Sequence, residues 1–158
     1  DALPNGADTL PQVGLISQYV KDLSFENPNA PAVYQWQSQP QIDIQFNIAS
    51  NRVGDDVYEV VLKVEVRAEG DGQVAFHVEL SYAGLFGLRN IPEDQIQFIL
   101  MAQAPALIFP FARRVLADAV RDGGFPPLLL EPIDFGSIYL QQAQAQAEQA
   151  GFGVTGQA

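Results

Sequence analysis

The sequence predicts an α+β protein, a four-stranded antiparallel sheet with helices packed on one of its faces. Three observations lead there. Runs of apolar–polar alternation occupy the first half of the chain, and helical periodicity replaces them after Asn90. The strands are apolar on one side only, so they need the cover that the later helices supply. At 158 residues and 17.2 kDa, one domain with one core is expected.

The first strand covers about Val13 to Glu26, with Leu23 and Phe25 on one face and Asp22, Ser24 and Glu26 on the other. Pro28 and Pro31 end it, because proline cannot donate to a ladder. The connection from Asn27 to Pro40 carries Tyr34 and Trp36 and is longer than most loops, which places it at the surface in a binding role. In the second strand Ile42, Ile44, Phe46 and Ile48 alternate with Gln41, Asp43, Gln45 and Asn47. In the third, Tyr58, Val60, Leu62, Val64 and Val66 oppose Glu59, Lys63, Glu65, Arg67 and Glu69, and only Val61 breaks the polar face. A Gly70-Asp71-Gly72 turn leads into the fourth strand, Gln73 to Tyr82, so these three strands read as an antiparallel meander.

Pro92-Glu93-Asp94 has the proline and acidic residues of a helix start. Leu107, Ile108, Phe111, Val115, Leu116, Ala119 and Val120 then form a helical stripe, stopped by Gly123 and Gly124. Phe125 to Pro132 is an apolar loop flanked by prolines, and Asp134 caps a last helix expected to run through Gln149. The expected organisation is a flexible N-terminal segment over 1–12, one domain over 13–150 and a mobile tail over 151–158.

Composition narrows the function. Apolar residues make up 47% and charged residues only 17%, so some apolar surface is expected to be covered by another subunit or a partner. Eight Lys plus Arg against 19 Asp plus Glu give a net charge of −11, which disfavours nucleic acid and anionic lipid and would steer in a basic protein partner. The absence of cysteine excludes disulfides, thiol nucleophiles and Cys-based metal sites, and fits a reducing compartment. Asp1 to Pro11 has no secretory signal pattern. Ile96 to Phe111, broken by Gln97, Gln103, Pro105 and Pro110, falls short of the ~20 residues of a membrane span, so none is expected.

Catalytic chemistry has little support. His77 is the single histidine and alternates with Glu79 on a solvated or interface face, with no converging partners in view, so neither a triad nor a metal centre is expected. Asp55, Asp56 and Asp71 belong to turns, and Gly70, Gly72, Gly84 and Gly87 form no phosphate-binding motif. The chain reads as a non-enzyme without a cofactor. A small-ligand carrier or an enzyme with a pocket between sheet and helix is the alternative, and a purely structural oligomer is another.

The runs Tyr19 to Glu26, Asn27 to Pro31 and Gly124 to Phe135 resemble the SecB protein-export chaperone family, as do Asp56 to Leu62 and Phe109 to Arg113. They cover about Leu15 to Leu140 in the family's order. The resemblance implies a sheet-plus-helix subunit assembled as a dimer of dimers. It also implies ATP-independent binding of unfolded precursors in the cytoplasm and their delivery to the SecA ATPase. The positions matching the family's SecA-docking face are Asp22, Glu26, His77 and Glu79, with His77 standing where the family tends to carry an apolar residue. The matching client groove would be lined by Tyr34, Trp36, Phe125, Leu128, Leu130 and Phe135. Val78 and Leu80 would influence assembly.

Overall fold

The computed structural model describes residues 9–155, with side chains described over 9–150. It contains β1 (Gln12–Glu26), β2 (Gln41–Gly54), β3 (Val57–Gly70) and β4 (Gln73–Arg89), followed by α1 (Glu93–Phe98), a π-helical turn (Ile99–Gln103), α2 (Ala104–Asp122) and α3 (Phe135–Thr155). The strands form one antiparallel sheet in the order β1-β4-β3-β2. The three consecutive strands make the expected meander, and β1 returns along its far edge against β4.

β2 and β4 run beyond the alternation that predicts them, to Gly54 and Arg89. Their last residues escape a sequence reading because Ser50 to Gly54 is polar apart from Val53, and Gly84 and Gly87 interrupt the apolar pattern. The hairpin between β3 and β4 turns on Asp71 at φ 54 and Gly72 at φ 76, the two left-handed residues of a type I′ turn.

The core lies between the sheet and α2. Val60, Leu62, Val64 and Val66 of β3 and Val78, Leu80 and Phe86 of β4 are fully buried against Ile108, Ala112, Leu116 and Val120. The expected helical stripe faces the sheet in part, through Ile108, Leu116 and Val120, while Leu107 and Phe111 point away from it and are 51% and 42% exposed.

Glu93 to Asp122 is one continuous helical run of 30 residues. The prolines that seemed to divide it are absorbed. Pro105 has no N–H for the carbonyl four residues back, and the wide π turn sits just before it; Pro110 stands inside α2. With a mean hydropathy of 1.4 over its best window, this run has the length and apolarity of a possible membrane span, contrary to the expectation of none by that test. Its apolarity is also that of a core helix, with 44% of the window buried.

α2 ends where Gly123 and Gly124 let the side chains of Phe25 and Tyr34 approach the backbone. A Cβ on Gly123 would stand 2.3 Å from the Phe25 ring, and one on Gly124, at φ 87, 3.0 Å from Tyr34. Asp134 caps α3 as expected, accepting from the Ser137 backbone N–H at 3.0 Å and from its hydroxyl at 2.7 Å. Those bonds hold its carboxyl below the usual range. α3 continues past the expected Gln149 to Thr155. Part of the segment expected as a tail is therefore helical, and its last residues lie outside the described ones.

Candidate functional site

The face of the sheet turned away from the helices is polar, and register decides what meets on it. Asp22 stands opposite Ser81, Ser24 opposite Glu79 and Glu26 opposite His77 across β1 and β4. Across β4 and β3, Ser81 pairs with Lys63, Glu79 with Glu65 and His77 with Arg67. Across β3 and β2, Glu65 meets Gln45 and Arg67 meets Asp43. Paired residues of a ladder point to the same side, so Asp22, Glu26, Asp43, Glu65 and Glu79 share one face with Lys63, Arg67 and His77.

β1 reaches this arrangement through irregularities at Leu15/Ser17 and Val20/Asp22, which shift its alternation. The expected grouping of Asp22 with Glu26 holds because both lie beyond the second irregularity. His77 Nε2 approaches Glu65 Oε1 at 3.0 Å and Glu79 Oε1 at 3.6 Å, and all three residues are only partly exposed. Glu65 is the partner that a reading along one strand misses, since it comes from β3.

Further along the same face, Glu59 accepts hydrogen bonds from Lys21 Nζ at 2.8 Å and from the Tyr19 hydroxyl. The Lys21 bond, followed by that from Tyr19, holds the Glu59 carboxyl below its usual range. In return the bond to Glu59, with burial and the carboxylate charge, pushes Tyr19 up to about 12. The three tie edge strand β1 to β3 across β4.

The apolar candidates occupy the helical side, at the end of the sheet where β3 turns into β4. The Tyr34 ring lies 5.6 Å from Phe125, which lies 4.9 Å from Phe76, itself stacked 5.9 Å from Phe25. The Tyr34 hydroxyl donates to the Gly123 carbonyl at 2.8 Å, so this aromatic row is pinned to the end of α2. Trp36 packs over Gly70 and lines a separate, polar cleft of about 680 Å³ with Gln37, Gln39 and Glu69.

Leu128 belongs to a third place, an apolar cleft of about 540 Å³ between Ile42, Ile44 and Phe46 of β2 and the segment from Leu128 to Ile133. Its most accessible apolar side chain is Leu129, 74% exposed, with Ile42 and Ile44 also exposed. These three residues are not among those the sequence singles out for the groove. The Leu128-Leu129-Leu130 run is the available signal for Leu129, whereas the alternation puts Ile42 and Ile44 on an apolar face and does not show that β2 is an edge.

Leu130 lines that cleft as a nearly buried side chain, and Phe135 is buried outside it. Leu130 is buried, with its carbonyl held by Arg113 at 3.2 Å, and Phe135 packs edge-on against Phe46 and Phe109. Val78 and Leu80 are likewise wholly buried beneath α2, so they present no surface to a neighbouring subunit. Other exposed apolar residues include Leu15, Ile16, Val20 and Leu23 along β1 and Leu107 and Phe111 on the outer side of α2.

Comparison with known proteins identifies this arrangement. A family model described as preprotein translocase subunit SecB matches residues 6–146. The chain is 66% identical over 95% of its length to the protein-export protein SecB of Sphingopyxis alaskensis, covering 88% of that protein. It is 63% identical over 92% of its length to that of Rhizorhabdus wittichii, covering 88% of it. Among solved structures it resembles a SecB-like chaperone of Mycobacterium tuberculosis in complex with a peptide from an antitoxin, at a TM-score of 0.64 and 16% identity, over 77% of this chain and 90% of that one. At that identity the likeness concerns the fold. The alternation on the strands, the sheet-and-helix fold and the length of these matches agree, and the chain belongs to the SecB family of protein-export chaperones.

Proposed function

We propose that this protein is an ATP-independent cytoplasmic chaperone that holds unfolded precursors on apolar surface and passes them to SecA through its polar sheet face. The carrying observation is the separation of the two surfaces. Carboxylates of Asp22, Glu26 and Glu79 share one side of the sheet, while the aromatic row and the Ile42–Leu129 cleft lie on the other. A basic partner can engage exposed charges by long-range attraction, and an unfolded chain can bury apolar side chains elsewhere without competition.

The client surface consists of Tyr34, Phe125, Leu128 and Leu129 with Ile42 and Ile44, and Trp36 marks a neighbouring polar extension. One such cleft binds a peptide weakly. Repetition on several subunits lets one unfolded chain engage several clefts, which can raise avidity by about 10²–10⁴. A homotetramer, built as a dimer of dimers, supplies that repetition. Exposed apolar residues on β1 and on the outer side of α2 support such an assembly.

The antitoxin peptide held by the Mycobacterium tuberculosis structure supports a peptide-binding role for this fold. The test is suppression of aggregation of a chemically unfolded secretory precursor, without nucleotide, by the purified protein. Aggregation that proceeds at the unassisted rate would contradict the proposal.

A further inference from the structure

We infer that Glu65, His77 and Glu79 form a binding site for a divalent transition cation of the zinc class on the open face of the sheet. The three residues each offer one ligand atom, and these atoms lie within 4.8 Å of one another. His77 Nε2 is 3.0 Å from Glu65 Oε1 and 3.6 Å from Glu79 Oε1. A tetrahedral centre with metal–ligand bonds of about 2.0–2.2 Å has edges of about 3.3–3.6 Å, so small side-chain adjustments would bring the set onto a metal.

The backbone preorganises the set. His77 and Glu79 are two residues apart on β4 and project from the same face, while Glu65 is the direct register partner of Glu79 on β3. Both strands are central in the sheet, flanked by β1 and β2, so their spacing is fixed by ladders on each side. None of the three depends on a loop for its position.

The electrostatics favour a cation there. Glu65 and Glu79 are like charges directly opposed across a strand pair, an unfavourable arrangement unless something neutralises it. A neutral imidazole can donate from Nε2 to only one of them, and 3.6 Å to Glu79 is too long for a hydrogen bond. Arg67, opposite His77, is paired with Glu69 at 2.5 Å. Glu26, across β1 from His77, is an additional carboxylate beside the site.

One imidazole nitrogen with two carboxylate oxygens is a donor set for zinc, copper, nickel or cobalt. Calcium and magnesium prefer all-oxygen shells of higher coordination. The inference does not rest on the docking reading, although both use Glu79, and metal binding is read without any partner protein.

Isothermal titration of the metal-free full chain with Zn²⁺ at neutral pH tests it, alongside His77→Leu and Glu65→Gln, with far-UV circular dichroism checking that each variant is folded. The expected result is one Zn²⁺ per chain, affinity at least about tenfold weaker in both variants, and no displacement by excess Mg²⁺. Equal affinity in the wild type and a folded variant, or no Zn²⁺ binding to the wild type, would overturn the site. Visible ligand-field absorption of a bound Co²⁺, lost in His77→Leu, is the independent readout that the histidine is a ligand.

Discussion

Glu59 gathers two donors from the edge strand, Lys21 and Tyr19, and its depressed pKa makes that cluster contribute to stability in a defined pH window. A carboxyl with a folded value below its unfolded one contributes fully above the unfolded value, and the contribution disappears as pH falls through the folded one. Glu59→Gln is therefore expected to lower the urea midpoint at neutral pH, by about 1–2 kcal/mol in stability, and to flatten part of the fall on the acid side. Tyr19 works in the opposite sense. With its value pushed up to about 12, its share is present below the ordinary tyrosine range and is lost as pH rises through that value. Urea titrations across acid and alkaline pH check both, and an unchanged profile in Glu59→Gln would contradict the assignment. Sequence alternation put Lys21 and Glu59 on separate strands with no indication that they meet. His77 shows the same limit, since its pairing with Glu79 was readable along β4 but its contact with Glu65 depends on register between strands.

At the scale of elements, local signals located nearly every strand and helix, because alternation, turn glycines and caps are written in consecutive residues. What they left out was how elements lie against each other. Pro105 and Pro110 looked like helix breaks, yet a π turn and the helix interior accommodate them. Gly123 and Gly124 looked like a helix stop, and they are also the floor for Phe25 and Tyr34. Gly124→Ala combines a left-handed backbone with contact against Tyr34, and a loss of about 1–2 kcal/mol is expected in thermal or urea unfolding. Val78 and Leu80 were expected to act at an assembly interface, but their burial under α2 means that a charged substitution damages the subunit first. Their register partners on β1 are Phe25 for Val78 and Leu23 for Leu80. Leu107→Glu or Phe111→Glu places a charge on an exposed apolar stripe instead, and sedimentation is expected to show smaller assemblies with the far-UV spectrum unchanged. Ile44→Asp, on the open edge of the β2 cleft, is expected to weaken binding of an unfolded precursor severalfold in a fluorescence titration.

For the whole molecule, the proposed function divides labour between the two sides of one sheet. The one-sided pattern was legible because each strand carries it separately, and the acidic composition agreed with it. The client surface was less legible. Its residues come from β2, the long connection and the segment after α2, and whether each is open or buried depends on edge position and on α2 packing. That is why Leu130 and Phe135 proved buried while Ile42, Ile44 and Leu129 proved exposed. Exposed charges mostly govern encounter and salt sensitivity, with screening over a Debye length of about 8 Å at physiological ionic strength, so neutralising them leaves the apolar surface intact. The most direct measurement is a parallel titration of SecA and of an unfolded precursor against the wild type and the Asp22→Asn, Glu26→Gln, Glu79→Gln triple variant. SecA binding is expected to fall at least about tenfold and to lose its salt dependence, with precursor affinity unchanged. Unaltered SecA binding, or an equal loss of both affinities, would contradict it.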